Sequence, residues 1–458
     1  MKLIYNVNDK PKFSKVLVFA IQQLLAIMAA TIAVPAIIGN GMSQTAALFG
    51  AGVGTIVYLL FTKSKSPVFL GSSFAFIGSM FAAFAGAASL SAGYLGLIIG
   101  AIFAGLVYVV IALIVKYVGT QWIEKLMPAT VIGPTVAIIG LSLAGNAIGD
   151  LQSGGLKVFD ILTQSNVSVC NPYVALICGL VTLFTVIICS VYGKKMLKMI
   201  PFIIGIVAGY IVASIFSAIG YAADIDALKV INFALFKDIQ WLPDFTFLKA
   251  FEGFKDIDAS YIGTVAVAYL PVAFVVFAEH IADHKNLSSI IENNLLEEPG
   301  LHRTLLGDGI GSLSGAFFGG CPNTTYGESV GCVAISGNAS VVSIWVTAFL
   351  AIAISFFGPF ATLLATIPSC VMGGVCTALY GFIAVSGLKM IQKVDLGQNK
   401  NLFVVSVILI SGIGGLTMTF GKITLTTVAC SLILGIITNI IVGKAKEEVT
   451  EETTDEVE

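Results

Sequence analysis

The chain has 458 residues, 57% of them hydrophobic and only 11% charged, with a formal net charge of −2 and a mean hydropathy of +0.97. Soluble domains carry about 25% charged residues, so the composition excludes a soluble globular protein and leaves a polytopic one whose partner is the lipid bilayer. The net charge of −2 says nothing useful about partners, and no nucleic-acid partner is expected.

Apolar runs of about 17 to 25 residues, each enough to cross roughly 30 Å of hydrocarbon as a helix, recur along the chain and stop at Gly, Pro, Asn or Lys clusters. The first covers 14–38; it has no small-residue cleavage site behind it and reads as a retained helix rather than a signal peptide. A second covers 45–62, and then SPVFLGSSFAF (66–76) leads into a short apolar stretch at 74–88. Full spans follow at 91–117, 129–148, 171–192 and 200–223, then a mixed-charge loop at 223–258. Beyond the loop, a span at 259–280 ends in PVAFVVFAEHIADH, one at 303–320 contains LLGDGIGSLSG, and CPNTTYGESV (321–330) leads into a short stretch at 328–338. Spans at 341–365, 369–391, 401–420 and 424–443 complete the series, and the acidic tail EEVTEETTDEVE (447–458) reads as solvated and disordered.

The expected fold is therefore all-α with 14 transmembrane segments, twelve full and two short. With the N-terminus inside, 18 of the 24 Lys and Arg fall on the inner side, as the positive-inside rule requires, and both termini are expected in the cytoplasm. The eight cysteines show no CxxC or Cys/His metal spacing and read as packing residues; no metal and no cofactor are expected.

Two halves of seven spans have opposite orientations, which makes an inverted repeat. The third span of each half has the same irregularity: a Pro, a few strand-prone or small polar residues, a Gly, then a short apolar helix. Extended backbone at this depth must find partners, so the two segments are expected to pair as short antiparallel strands in spans 3 and 10. The half-helices that follow would aim free N–H groups at a mid-membrane ligand; the alternative is a pair of kinks with only a packing role.

Three acids, Glu279, Asp308 and Glu328, lie within the apolar spans, and Asp283 lies just beyond one. An ionisable group at bilayer depth costs several kcal/mol, and such residues mark the path of a substrate or proton. Glu279 and Asp283 share one helix face, and His280 and His284 another. Two poorly solvated carboxylates one turn apart cannot both ionise cheaply, so Glu279, Asp283 and His280 are candidate proton carriers. The bland alternative puts Asp283 and His284 in a hydrated loop. Glu328 opens a half-helix, where it serves either a ligand or the helix dipole, and Asp308 is either functional or an acceptor between packed helices. GDGIGSLSG lacks the GK[ST] of a phosphate loop, and no HExxH or GxSxG occurs, so no enzyme is expected.

The segments QQLLAIMAATIAVP (22–35), FLGSSFAFIGSM (69–80), MPATVIGPTVAIIGLSLAG (127–145), AEHIADH (278–284), PGLHRTLLGDG (299–309), PNTTYGESVGCVAI (322–335) and GQNKNLFVVSVILISG (397–412) resemble the nucleobase/ascorbate transporter family, in its bacterial uracil permease branch. The resemblance implies a core domain (1–125 and 258–366, helices 1–4 and 8–11) and a gate domain (126–257 and 367–445, helices 5–7 and 12–14), with 446–458 as a tail. It implies a homodimer in the cell membrane that takes up uracil with a proton. Glu279 and Glu328 would hold the pyrimidine N–H groups, the amides of Phe74 and Gly327 would donate to its carbonyls, and Ala30, Tyr326 and Tyr380 would line the pocket. This chain has Gln22-Gln23 where many relatives have Gln-His, and Asp283 where some have a histidine. The alternatives are a xanthine or other nucleobase symporter of the same fold, and an anion channel or exchanger of related fold, whose anion two pocket acids would repel.

Overall fold

The computed structural model describes residues 3–119, 121–160, 165–194, 196–237, 239, 241–420 and 423–443. The acidic tail at 447–458 lies outside them.

Helices dominate. We number them α1 (Phe13–Ile38), α2 (Gln44–Phe61), α3 (Ile77–Ala85), α4 (Leu90–Val118), α5 (Ala129–Ser142), α6 (Pro172–Tyr192), α7 (Pro201–Ala222), α8 (Ala259–Ile291), α9 (Leu301–Gly319), α10 (Gly327–Ser336), α11 (Val341–Ser355), α12 (Ser369–Ile391), α13 (Asn399–Ile413) and α14 (Thr427–Val442). Among the described residues, eight helices are long and apolar enough to cross a membrane, or nine if one bent pair counts as a single span. The strands are β1 (Leu70–Ser72), β2 (Lys157–Asp160), β3 (Ser165–Ser168), β4 (Asn323–Thr325), β5 (Met418–Phe420) and β6 (Ile423–Leu425), paired antiparallel as β1–β4, β2–β3 and β5–β6.

Local chemistry sets many of the ends. Ser43, Ser89, Asn171 and Asp258 cap α2, α4, α6 and α8 through their side chains, each accepting from a backbone N–H of the first turn. Pro172 and Pro201 stand where a helix's first N–H has no partner in any case. α1 leaves through Gly39, Asn40 and Gly41, all at positive φ, a left-handed turn that glycine and asparagine tolerate best.

Four elements differ from the sequence expectation. The 341–365 span is not straight: α11 stops at Ser355, and the helix Gly358–Thr366 turns away by 83°, with Gly358 and Pro359 at its start. The 259–280 span runs on to Ile291, because nothing after His280 stops it until Glu292 adopts a left-handed cap. The 401–420 span ends at Ile413, where Gly414 and Gly415 break it ahead of β5. The 424–443 span gives its first residues to β6, and α14 begins at Thr427.

Packing sorts the helices into two groups. In one, α9 lies against α2 and α4, α11 against α1 and α2, and α8 and α3 against α4; in the other, α12 lies against α5 and α6, α6 against α7, and α13 against α5 and α14. Small residues allow the closest approaches, as in membrane helices generally. At Gly54 of α2, an added Cβ would stand 2.6 Å from the Gly311 carbonyl oxygen of α9 and 2.4 Å from Asn323 Nδ2. Outside the bundle, the N-terminal arm attaches to the residues behind α10: Tyr5 bridges Asn338 in parallel, Ile4 N donates to Gly337 O, Ala339 N to Tyr5 O and Val341 N to Val7 O.

The α2–α9 contact has no room for a methyl group, and overpacking of this kind costs about 1–3 kcal/mol. Gly54→Ala is expected to lower the melting temperature of the detergent-solubilised protein by several degrees. Gly145→Ala, where an added Cβ meets nothing within 4 Å, is expected to leave it unchanged in the same assay.

Candidate ligand site at the paired half-helices

The two interrupted segments meet in the interior. β1 and β4 pair in the register Leu70↔Thr325, Gly71↔Thr324 and Ser72↔Asn323. Flanking bonds extend the match: Ser73 N donates to Pro322 O at 2.8 Å and Tyr326 N to Phe69 O at 3.3 Å. Side chains take the outward groups. Leu70 N donates to Thr55 Oγ1 at 2.9 Å, Phe69 N donates to Ser329 Oγ at 2.9 Å, and Gln23 Nε2 donates to the same hydroxyl. Asn323 Nδ2 donates to Gly50 O at 3.1 Å. Buried extended backbone is thereby given partners, as an apolar surrounding requires.

A helical turn starts on each side of this pair, at Phe74 through a short 3₁₀ segment leading into α3, and at Gly327 for α10. Neither start has a side-chain cap, so the first N–H groups have no partner in their own helix and the positive dipole ends point inward. Glu328 sits in the first turn of α10.

α8 brings its acids to the same place. Thr325 Oγ1 donates to Asp283 Oδ2 at 2.8 Å, and a Cβ added at Gly327 would lie 3.8 Å from Asp283 Oδ1. Asp283, Glu328 and Asp308 all lie within electrostatic reach of Glu279. Glu279, Asp283 and Glu328 are partly exposed and Gly327 is open, and added Cβ atoms at Gly78 of α3 and Gly331 of α10 would meet nothing within 4 Å. The arrangement is a cleft with carboxylate acceptors on one side and backbone donors at two helix starts. Phe74 faces Tyr380 of α12 edge-on, with ring centroids 5.9 Å apart.

Other expected site residues sit in the walls. Ala30 is buried within α1. Tyr326 is buried, its hydroxyl donating to Ser72 O at 2.8 Å. His280 turns away from Glu279 toward α9, with Nδ1 2.7 Å from Asp308 Oδ2 and Nε2 2.9 Å from Thr304 Oγ1. Asp308 thus joins two packed helices, the structural side of the alternative left open by the sequence. Asp283 and His284 are not in a hydrated loop: both are inside α8, and His284 is 1% exposed. A cavity of about 470 Å³ lies at the end of α1 and the start of α2, lined by Pro35, Gln44, Leu242, Asp244 and Thr362 among others, and takes in none of Glu279, Asp283, Asp308 and Glu328. A smaller one of about 140 Å³ lies between α5 and α12 and takes in Tyr380.

Sequence reasoning gave no role to Gln23, Thr55, Thr325 or Ser329. Gln23 had a usable signal, since an amide inside an apolar helix needs a partner. The hydroxyls had none, being ordinary residues of small-residue helices.

Comparison with known proteins shows the family and the fold. The model of the Permease family (Xan_ur_permease) matches residues 14–421. Uracil permease of Bacillus caldolyticus is 38% identical over 96% of this chain and 95% of its own length, and uracil permease of Bacillus subtilis strain 168 is 36% identical over 98% and 97%. Among solved structures, the transmembrane domain of the cyanobacterial bicarbonate transporter BicA shares the fold, with a TM-score of 0.63 at 17% identity over 95% of this chain and 100% of that one. The chain belongs to the Permease family, which includes the bacterial uracil permeases and is a family of transporters rather than enzymes.

Proposed function

We propose that the protein is a uracil:proton symporter of the cell membrane, working by alternating access. The observation that carries this reading is the meeting of two uncapped half-helix starts with Glu279, Asp283 and Glu328 in one cleft. Uracil presents two N–H donors and two carbonyl acceptors, so carboxylates and helix-start amides form a complementary set. Glu279 and Glu328 take the ring N–H groups, the amides of Phe74 and Gly327 donate to the carbonyls, and Phe74 and Tyr380 flank the ring, with Ala30 and Tyr326 behind the contact surface. Relatives named as uracil permeases over nearly the whole chain support the same substrate.

The two packing groups support a cycle of this kind. The group built on α1–α4 and α8–α11 holds the cleft and acts as the core; the group built on α5–α7 and α12–α14 acts as the gate. Fourteen crossings in a seven-plus-seven inverted repeat, with both termini in the cytoplasm and two copies in a dimer, complete the architecture. A proton on Glu279, with Asp283 and His280 as its neighbours on α8, removes a charge that would otherwise oppose movement of the core through the low-dielectric barrier, so that proton and substrate binding are linked.

Two measurements test this. Uracil is expected to raise the melting temperature of the purified protein more than thymine, xanthine, chloride or sulfate does. Glu328→Gln, which loses an acceptor while leaving ligand donors unpaired at about 1–3 kcal/mol, is expected to weaken that stabilisation by roughly tenfold to a hundredfold in uracil concentration. Stabilisation by xanthine or sulfate alone would replace the substrate assignment. In the second, Glu279→Gln is expected to abolish the dependence of radiolabelled uracil uptake on external pH; an unchanged pH profile would remove Glu279 from the proton path.

A further inference from the structure

The cleft uses one face of α8, and two histidines occupy another. His280 and His284 are 0% and 1% exposed, and their rings stack with centroids 4.0 Å apart. His284 Nδ1 lies 2.8 Å from the His280 carbonyl oxygen. A carbonyl only accepts, so that nitrogen carries a hydrogen and Nε2 is the variable one. Nε2 lies 2.6 Å from the hydroxyl of Tyr58 on α2, and the same hydroxyl lies 2.7 Å from Ser66 Oγ. Tyr58 and Ser66 are both fully buried.

A phenol has one hydrogen, so Tyr58 can donate to only one of these neighbours. In the structure the Tyr58 hydroxyl donates to Ser66 Oγ; with neutral His284 the phenol turns its hydrogen to Nε2 instead. With a second proton on His284, Nε2–H donates to Tyr58, which turns its own hydrogen to Ser66. Both states satisfy the chain with no movement of heavy atoms. The charged groups around it are Asp283 and Asp308, both within electrostatic reach of Tyr58, and His280, which Asp308 and Thr304 engage. Asp308 Oδ1 is buried with no hydrogen-bond partner, and Oδ2 faces His280 Nδ1. His284 follows Glu279 by five residues, about 7.5 Å along the helix, toward the end of α2 where Ser66 adjoins the partly exposed Lys65.

Resting on the symporter reading, we propose that His284 is a second proton-holding position, placed between the Glu279 cleft and the inner side, and that Tyr58 and Ser66 carry its proton. When opening toward the inner side brings water to Ser66, a proton adds to Ser66 Oγ, the Ser66 hydrogen passes to Tyr58, and the Tyr58 hydrogen passes to Nε2. One proton enters, three O–H or N–H bonds form, two O–H bonds break within the chain, and the hydroxyls are left reversed. Release runs the same steps backward. The imidazolium then offsets Asp283 and Asp308 when the cleft has given up its own proton.

The test uses the full-length protein in proteoliposomes. Tyr58→Phe and His284→Gln are expected to keep uracil-induced thermal stabilisation within about twofold in concentration and to retain uracil counterflow, which needs no net proton movement. Both are expected to slow uptake driven by a pH gradient at least fivefold and to flatten its dependence on internal pH. Unchanged internal-pH dependence in both variants, with binding intact, overturns the proposal. Loss of uracil binding by the unmodified protein would instead overturn the symporter reading. If a variant does not fold, ¹⁵N-histidine spectra of the unmodified protein decide, since its only histidines are 280, 284 and 302. A buried histidine keeping its Nδ1 hydrogen while Nε2 gains and loses one between about pH 5 and 8 supports the proposal, and the absence of any such ring sinks it.

Discussion

The structure depends on a single requirement: two extended segments, each with a row of exposed peptide groups, must satisfy one another where no water is at hand. The three-residue ladder of β1 with β4 is too short to be stable alone. It persists because Thr55 and Ser329 accept from its outward amides, Ser329 in turn being held by Gln23, and because α2 and α9 approach closely enough for Asn323 to fit between them. The glycines of that contact are therefore part of the site's support, although none of them borders the cleft.

The same requirement shapes the chemistry. Ser43, Ser89, Asn171 and Asp258 cap helix starts elsewhere in this chain, whereas the two starts beside the ladder have no side-chain cap. Their first N–H groups have no partner within their own helices, and Asp283 of α8 lies close to the start of α10. Donor and acceptor sets are thus held by different elements, the donors by the ladder and the acids largely by one long helix.

Much of this was legible in the residues. The apolar runs announced a helical membrane protein, and the matching Pro–Gly interruptions at 66–76 and 321–330 singled out the segments on which the site is built. The spacing of Glu279 and Asp283 put both on the face that reaches β4 and α10, and that of His280 and His284 stacked them on another. What hydropathy could not show was how far a helix continues once polarity rises. His284 looked like the edge of a loop because Asp283 and Lys285 flank it, yet its hydrogen bond to Tyr58, distant in sequence, keeps it inside. Nor does hydropathy register direction, so the 83° turn after α11 was indistinguishable from a straight crossing. The short antiparallel pairs β2–β3 and β5–β6 have strands of three or four residues, too short for a window of twenty residues to resolve.

The first residues of the chain have a mechanical consequence of their own. Through Tyr5 and Val7 they grip the stretch that follows α10, while α10 carries Glu328 at its opposite end. The arm and Glu328 thus sit at opposite ends of one ten-residue helix, and the chain's opening segment is tied by main-chain hydrogen bonds to the element that carries this carboxylate.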